Sequence, residues 1–199
     1  MGQQKGVGGR SIIKWMALSK KEQQQLQHWV KAAKKGNRLS FEKLVQLTQD
    51  RIFAHCWRIL QDEAEAADAT QETFIKFWLH LDRFDCRRPV LPWLYRIATN
   101  YCLDRWRRWK RMVRLDQLEV GGEIWSTATQ GDSVEQEAEK EEVRQAVRQL
   151  PKNYRAALSL YYFEGYRYRE IAQIMGVSIN TVKSWIRRGK EKLKLIVKS

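Results

Sequence analysis

The chain has 199 residues and carries 37 Lys and Arg against 23 Asp and Glu, a formal net charge of +14. Such an excess of cations favours a polyanionic partner, nucleic acid or an anionic membrane surface, and a hydrophobic fraction of 43% excludes a chain that is disordered throughout. No apolar run approaches the roughly 20 residues of a membrane span, so no membrane association is expected and a cytoplasmic location is.

Residues 1–18 are rich in Gly and Gln and show no periodicity, which predicts a disordered lead, with Met16 an alternative start to Met1. Within it, the run from Ile12 to Leu18 is short and broken by Lys14, and fails as a signal peptide. Ser19 with Glu22 forms a capping-box pattern, and Leu26, Trp29, Val30 and Ala33 then recur at helical spacing until Gly36. A second helix is expected from Ser40, with Phe41, Leu44, Val45, Ile52, Cys56 and Ile59 along one side. A third follows a capped start at Asp62 to Glu65, with Ala66, Ala69, Thr70, Phe74, Phe77, Trp78 and Leu81 on its apolar face. Arg83 to Leu91 reads as a loop. Pro92 suits a first helical position, where its missing N–H costs nothing, and a long helix is expected from there to about Arg111, with Trp93, Ile97 and Tyr101 towards the core.

The charge then inverts. Six basic residues and no acid lie between Arg105 and Arg114, whereas nine acids and one base lie between Leu115 and Glu142. With Gly121-Gly122 and the polar run from Ser126 to Ser133, this stretch predicts a flexible acidic linker over 113–134. Four short helical segments follow: one ending at Leu150 before Pro151, then Asn153 to Glu164 before Gly165, Tyr168 to Met175, and Ile179 to about Val197. No strand signal or internal repeat stands out, so the expected fold class is all-α, two small helical domains over 19–112 and 135–199.

The segment from Arg169 to Ser184 has the pattern of a helix-turn-helix. Ala172 is small where two helices cross, Gly176 suits the left-handed turn, and Ser178 can cap the second helix, with Ile171, Ile174 and Val177 buried against it. On that helix Val182, Ile186, Gly189, Leu193 and Ile196 share one side, while Asn180, Lys183, Ser184, Arg187 and Lys194 share the other. An inner apolar stripe with an outer stripe of donors is what a reader of the DNA major groove needs. In the first domain, Asp68, Gln71 and Glu72 share one helix face. Further on, Trp106 and Trp109 alternate with arginines, an arrangement suited to unpaired DNA, in which cations hold the backbone and rings stack on bases. The three cysteines, Cys56, Cys86 and Cys102, and the three histidines are too scattered to converge on one zinc ion. No metal and no cofactor are expected, and the thiols read as unpaired in a reducing compartment; a redox role for Cys86 beside two arginines is the lesser reading.

Leu150-Pro151, Tyr154-Arg155, Gly165, Tyr168, Glu170-Ile171-Ala172, Gly176-Val177 and Thr181-Val182-Lys183-Ser184 resemble region 4 of the extracytoplasmic-function (ECF) sigma factors of the sigma-70 family. The run from Asp68 to Trp78 resembles region 2.2, and that from Pro92 to Arg108 resembles regions 2.3 and 2.4. The resemblance implies a subunit, not an enzyme and with no catalytic residues, that binds RNA polymerase core and directs promoter-specific initiation. It implies docking on the β′ clamp helices through Asp68, Gln71, Glu72, Phe74, Ile75, Phe77 and Trp78. Recognition and melting of the minus-ten element would fall to Phe84, Arg87, Arg88, Asn100, Asp104, Arg105, Trp106, Arg107 and Arg108. The minus-thirty-five element would be read by Asn180, Thr181, Lys183, Ser184, Arg187 and Arg188, in a domain that also touches the β flap. Promoter DNA and core polymerase are the implied partners, and an anti-sigma factor is a further class the resemblance leaves open. The chain departs from the family pattern at Ala67, usually Glu; at Trp185, usually Arg, where packing is expected; and at Cys86-Arg87-Arg88-Pro89, so the identity of the captured base does not carry over. The acidic linker is expected to follow the path of single-stranded template by charge mimicry. A polymerase-independent helix-turn-helix regulator accounts for the C-terminal motif but not for the docking face, and a DNA-cleaving enzyme lacks clustered carboxylates.

Overall fold

The computed structural model describes residues 18–116 and 145–196, and among these there are helices and turns but no strand. Four helices build the first domain: α1 (Lys20–Lys34), α2 (Arg38–Leu60), α3 (Glu63–Leu79) and α4 (Val90–Asp116), with a 3-10 turn at Leu81–Arg83 between the last two. A helical turn at 145–148 leads into the second domain, made of α5 (Lys152–Tyr162), α6 (Tyr168–Met175) and α7 (Ile179–Ile196). The two-domain all-helical expectation holds. Most of the linker expected over 113–134, and the lead at 1–17, lie outside the described residues.

Local chemistry sets where each helix starts. The capping box at α1 is present: Ser19 Oγ accepts from the Glu22 N–H at 3.2 Å, and the Glu22 carboxylate accepts from the Ser19 N–H at 2.7 Å. Those bonds hold the Glu22 carboxyl below its ordinary value. Helix α2 starts earlier than Ser40, because Asn37 is the cap and its Oδ1 accepts from the Ser40 N–H at 3.0 Å. Its other end is Gln61, the one non-glycine residue with positive φ among those described (59°), whose N–H donates to Trp57 O. Asp62 caps α3 as expected, accepting from the Glu65 N–H at 2.8 Å. Helix α4 begins at Val90, so Pro92 is its third residue; the absent N–H still falls among the first four, which have no intrahelical acceptor.

The first core is built from Leu26 and Val30 of α1, Leu44, Ile52 and Ile59 of α2, Phe77 of α3 and Leu94 of α4, all buried. Aliphatic and aromatic side chains of this size each contribute about 1.5–3 kcal/mol on full burial. The inner line of α4 differs from the expected one. Leu94, Tyr95, Ala98, Thr99 and Cys102 are fully buried, while Trp93, Ile97 and Tyr101 are half-buried at its flanks. The cause is a second covering surface, because α4 also carries α5 and α6 of the other domain.

Candidate nucleic-acid and polymerase interface

The helix-turn-helix forms as its sequence requires. Gly176 ends α6 at φ +66°, a conformation costly for any residue with a Cβ. Ser178 Oγ accepts from the Thr181 N–H at 3.1 Å and caps α7. Ile171, Ile174, Val182 and Ile186 are buried between the helices. Gly189 is buried too, and a Cβ there would stand 2.9 Å from Leu158 Cδ1, so the missing side chain lets α7 lie close on α5. Trp185 is half-buried against the core, the packing role expected of it.

The outer face of α7 is open. Asn180, Lys183, Arg187 and Arg188 are exposed, and Thr181 and Ser184 are half-exposed. Thr181 Oγ1 shares a hydrogen bond of 2.8 Å with Ser178 Oγ, and Arg187 pairs with Glu191 at 3.2 Å across one helical turn. An exposed i,i+4 pair of this kind contributes only about 0.3–0.5 kcal/mol, so Arg187 is easily released to a phosphate or base edge.

In the first domain, α2 and α3 leave between them an apolar groove of about 740 Å³, walled by Phe41, Val45, Phe53, Phe74, Ile75 and Trp78. Gln71 lies on its rim; Asp68 and Glu72 continue the polar edge of the same helix, Asp68 well exposed. The apolar members divide the work. Phe77 is wholly buried, Phe74 nearly so, and Trp78 and Ile75 are about 40% exposed (37% and 43%). Phe41 sits edge-on to Trp78 at 4.7 Å and fixes the exposed indole.

The loop and α4 form a third surface. Arg87 and Arg88 extend into solvent and pair with Asp85 at 3.1 and 3.7 Å; hydrogen bonds from Arg87 hold the Asp85 carboxyl below its ordinary value. Phe84 lies beneath the loop, 1% exposed and edge-on to both Phe77 and Trp93, so in this conformation it supports the loop from inside. Gln27 of α1 holds the same loop by donating to the carbonyls of Cys86 and Arg88 at 3.1 and 2.9 Å; sequence reading gave no sign of this contact. Asn100 is exposed, and Asp104 pairs with Arg107 at 2.9 Å. Arg105 is turned towards α3: it donates to Glu65 at 2.6 Å and to the Tyr101 hydroxyl at 3.3 Å, with Asp68 at 3.9 Å. These bonds hold its guanidinium firmly protonated. The side chains of Trp106 and Arg108 lie outside what is described. No group of residues able to hold a metal ion occurs among the described residues, and no described helix is long and apolar enough to cross a membrane.

Comparison with known proteins agrees with this geometry. Residues 44–112 match the family model for sigma-70 region 2, and residues 140–193 match that for sigma-70 region 4. The chain is 34% identical to the ECF RNA polymerase sigma factor SigW of Bacillus subtilis over 83% of its length and 92% of the relative's. It is 33% identical to the RNA polymerase sigma-H factor of Pseudomonas aeruginosa over 85% of its length and 92% of the relative's. The fold resembles that of CnrH, solved in complex with the cytosolic domain of CnrY, with a TM-score of 0.62 and 24% identity over 87% of this chain and 97% of that one. Two matched regions in the order the two helical domains display, with relatives of this similarity along almost their whole length, place the chain in the sigma-70 family, among the ECF RNA polymerase sigma factors.

Proposed function

We propose that this protein docks on core RNA polymerase through the α2–α3 groove, melts and holds the minus-ten element with the loop and α4, and anchors on the minus-thirty-five element with α7. The observation that carries this reading is the pairing, on one chain, of an apolar groove with a polar rim and a helix-turn-helix whose outer face is open and basic. Residues 19–112 are the polymerase-binding and minus-ten domain, and 135–199 the minus-thirty-five domain. The groove suits a helical partner, with Ile75 and Trp78 as apolar anchors and Asp68, Gln71 and Glu72 pairing with basic or amide groups around them. Such an anchor, buried at the centre of an interface, carries most of its binding energy.

On the DNA side, Lys183, Arg187, Asn180, Thr181, Ser184 and Arg188 present donors at the entry to a major groove. Arg87, Arg88, Asn100, Asp104 and Arg107 border the path of melted DNA, with Trp106 and Arg108 further along the same helix. Arg105 serves by bracing α4 on α3, and Phe84 by supporting the loop. Unstacking a base costs a few kcal/mol, which contacts to the extruded base must return. The protein performs no covalent chemistry, needs no cofactor, and works in the cytoplasm beside the polymerase.

The test is transcription from a randomised promoter library with core polymerase, with and without the protein. Enrichment of one paired upstream and downstream motif, dependent on both protein and core, is the expected result. Specific binding to duplex DNA by the protein alone, with no effect on core polymerase, would overturn it in favour of a polymerase-independent regulator.

A further inference from the structure

The loop between the 3-10 turn and α4 is held from within and from outside. Within it, the Arg88 N–H donates to Asp85 O at 2.9 Å and the Arg87 N–H to Asp85 Oδ1 at 3.0 Å, so the turn is closed by its own first residue. From outside, Gln27 and Lys34 of α1, two helical turns apart and so on one face, reach three of its carbonyls. Lys34 Nζ donates to Phe84 O at 2.9 Å, and the Gln27 amide donates to Cys86 O at 3.1 Å and to Arg88 O at 2.9 Å. With these alternate carbonyls held against α1, the loop meets solvent with Arg87, Arg88 and Pro89.

The amide of Gln27 is committed to this contact. One nitrogen serves two carbonyls, and turning the amide over would set its oxygen against two other oxygens, so the pairing fixes which way it points. Its own oxygen, Oε1, is left buried with no partner among the described residues. A buried acceptor without a donor costs stability, so the arrangement favours the placement of the loop over the side chain's own hydrogen bonding. The local turn cannot supply that placement. It sets the loop's shape, whereas its position over Phe84 depends on Gln27, which lies 59 and 61 residues away along the chain from the carbonyls it holds. A site that selects one extruded base needs its walls held to within about 0.5 Å by groups behind them.

We propose that Gln27 is a positioning residue for base selection, fixing the loop of Arg87 and Arg88 on α1 so that the melted minus-ten strand meets a preformed surface. The proposal rests on the reading of this loop as part of the minus-ten surface. Gln27 acts through the loop backbone, and Lys34 is the second tether, at the loop's start.

The experiment is transcription by core polymerase with the full chain on a promoter library randomised through both elements. The unaltered protein is compared with Gln27→Glu, Gln27→Lys and Lys34→Met. Gln27→Glu keeps the size of the side chain but sets a carboxylate against the two carbonyls. It should lower the preference for the favoured base about fivefold at one downstream position, where a mismatch commonly costs a factor of about 5 to 150. Preference at the other downstream positions and in the upstream element, and co-elution with core, should be unchanged. Gln27→Lys keeps a donor facing the carbonyls, as Lys34 does, and should retain the preference, whereas Lys34→Met should weaken it at the same position. An unchanged profile for Gln27→Glu, an equal loss at every position, or the same loss in Gln27→Glu and Gln27→Lys would overturn the positioning role. No motif at all from the unaltered protein with core would instead sink the sigma-factor reading, and the proposal with it.

Discussion

At single positions, what decides the outcome is what each side chain is given to pair with. Gly189 has no room for a side chain, because Leu158 already occupies the space a Cβ would need. Gly189→Leu should destabilise the second domain by about 1–3 kcal/mol, an overpacking cost, seen as a lower denaturation midpoint; an unchanged midpoint would mean that α5 and α7 are less tightly joined than they look. Asp68 shows the opposite case. Its carboxylate is exposed and only 3.9 Å from Arg105, an interaction worth at most about 1 kcal/mol. Asp68→Lys should therefore leave the melting curve almost unmoved while removing co-purification with core polymerase, and normal co-purification would refute its place in the docking face. Single residues were unevenly legible. Ser178, Gly176 and the split faces of α7 announced themselves because local geometry alone requires them. His55 did not, because both its partners are far along the chain, Ser159 by 104 residues and Thr99 by 44. The one available hint was its spacing from Ile52 and Ile59, which puts an imidazole on an apolar stripe.

At the scale of the helices, the order and type of elements were readable and their ends less so. Periodicity reports which face is buried, but a start depends on which nearby polar side chain captures a free N–H. Asn37 outcompetes Ser40 for that role because its Oδ1 reaches the Ser40 N–H, and Ser40 is then drawn into the first turn and buried. The far end of α2, at Gln61, carries no glycine; its side-chain amide instead donates to the carbonyls of Trp57 and Arg58. On α4 the expected inner line was displaced because a helix covered from two sides buries a wider arc than a one-sided stripe predicts. For α7, the open basic face leads to a graded expectation. Lys183→Ala and Arg187→Ala should each weaken binding of the holoenzyme to the upstream element by about 1–3 kcal/mol if they reach base edges. Binding measured across salt concentrations separates that role from phosphate contact, which would cost every promoter sequence equally and lower the salt slope by about one unit per residue.

For the molecule as a whole, the closed packing of one domain on the other, with His55 buried between Ser159 of α5 and Thr99 of α4, is sensitive to acid. Burial, helped by the neighbouring Arg58, pushes the His55 imidazole down to about 3 from its ordinary 6.5. The closed form therefore keeps His55 neutral, and an open form, where the ring meets water, binds a proton once pH falls below about 6.5. Closure is fully favoured above that value and loses about 1.4 kcal/mol for each pH unit below it, down towards pH 3. Glu164 acts in the opposite sense, since burial raises its carboxyl despite Tyr95 and Arg58, so the part of the response that belongs to the imidazole is the part that His55→Gln removes. Spin labels at Lys31→Cys on α1 and Lys192→Cys on α7, both exposed positions, in a Cys86→Ser background should thus move apart on mild acidification, and His55→Gln, which cannot titrate, should abolish that response. A distance unchanged between pH 7.5 and 5.5 in the unaltered chain would contradict this.

The uncovered groove between α2 and α3 has a consequence for how promoters are found. An apolar face left open to water favours a partner that covers it, so a free copy is drawn to core polymerase and searching falls mainly to the assembled holoenzyme. The output of the genes it serves would follow the number of polymerases it captures.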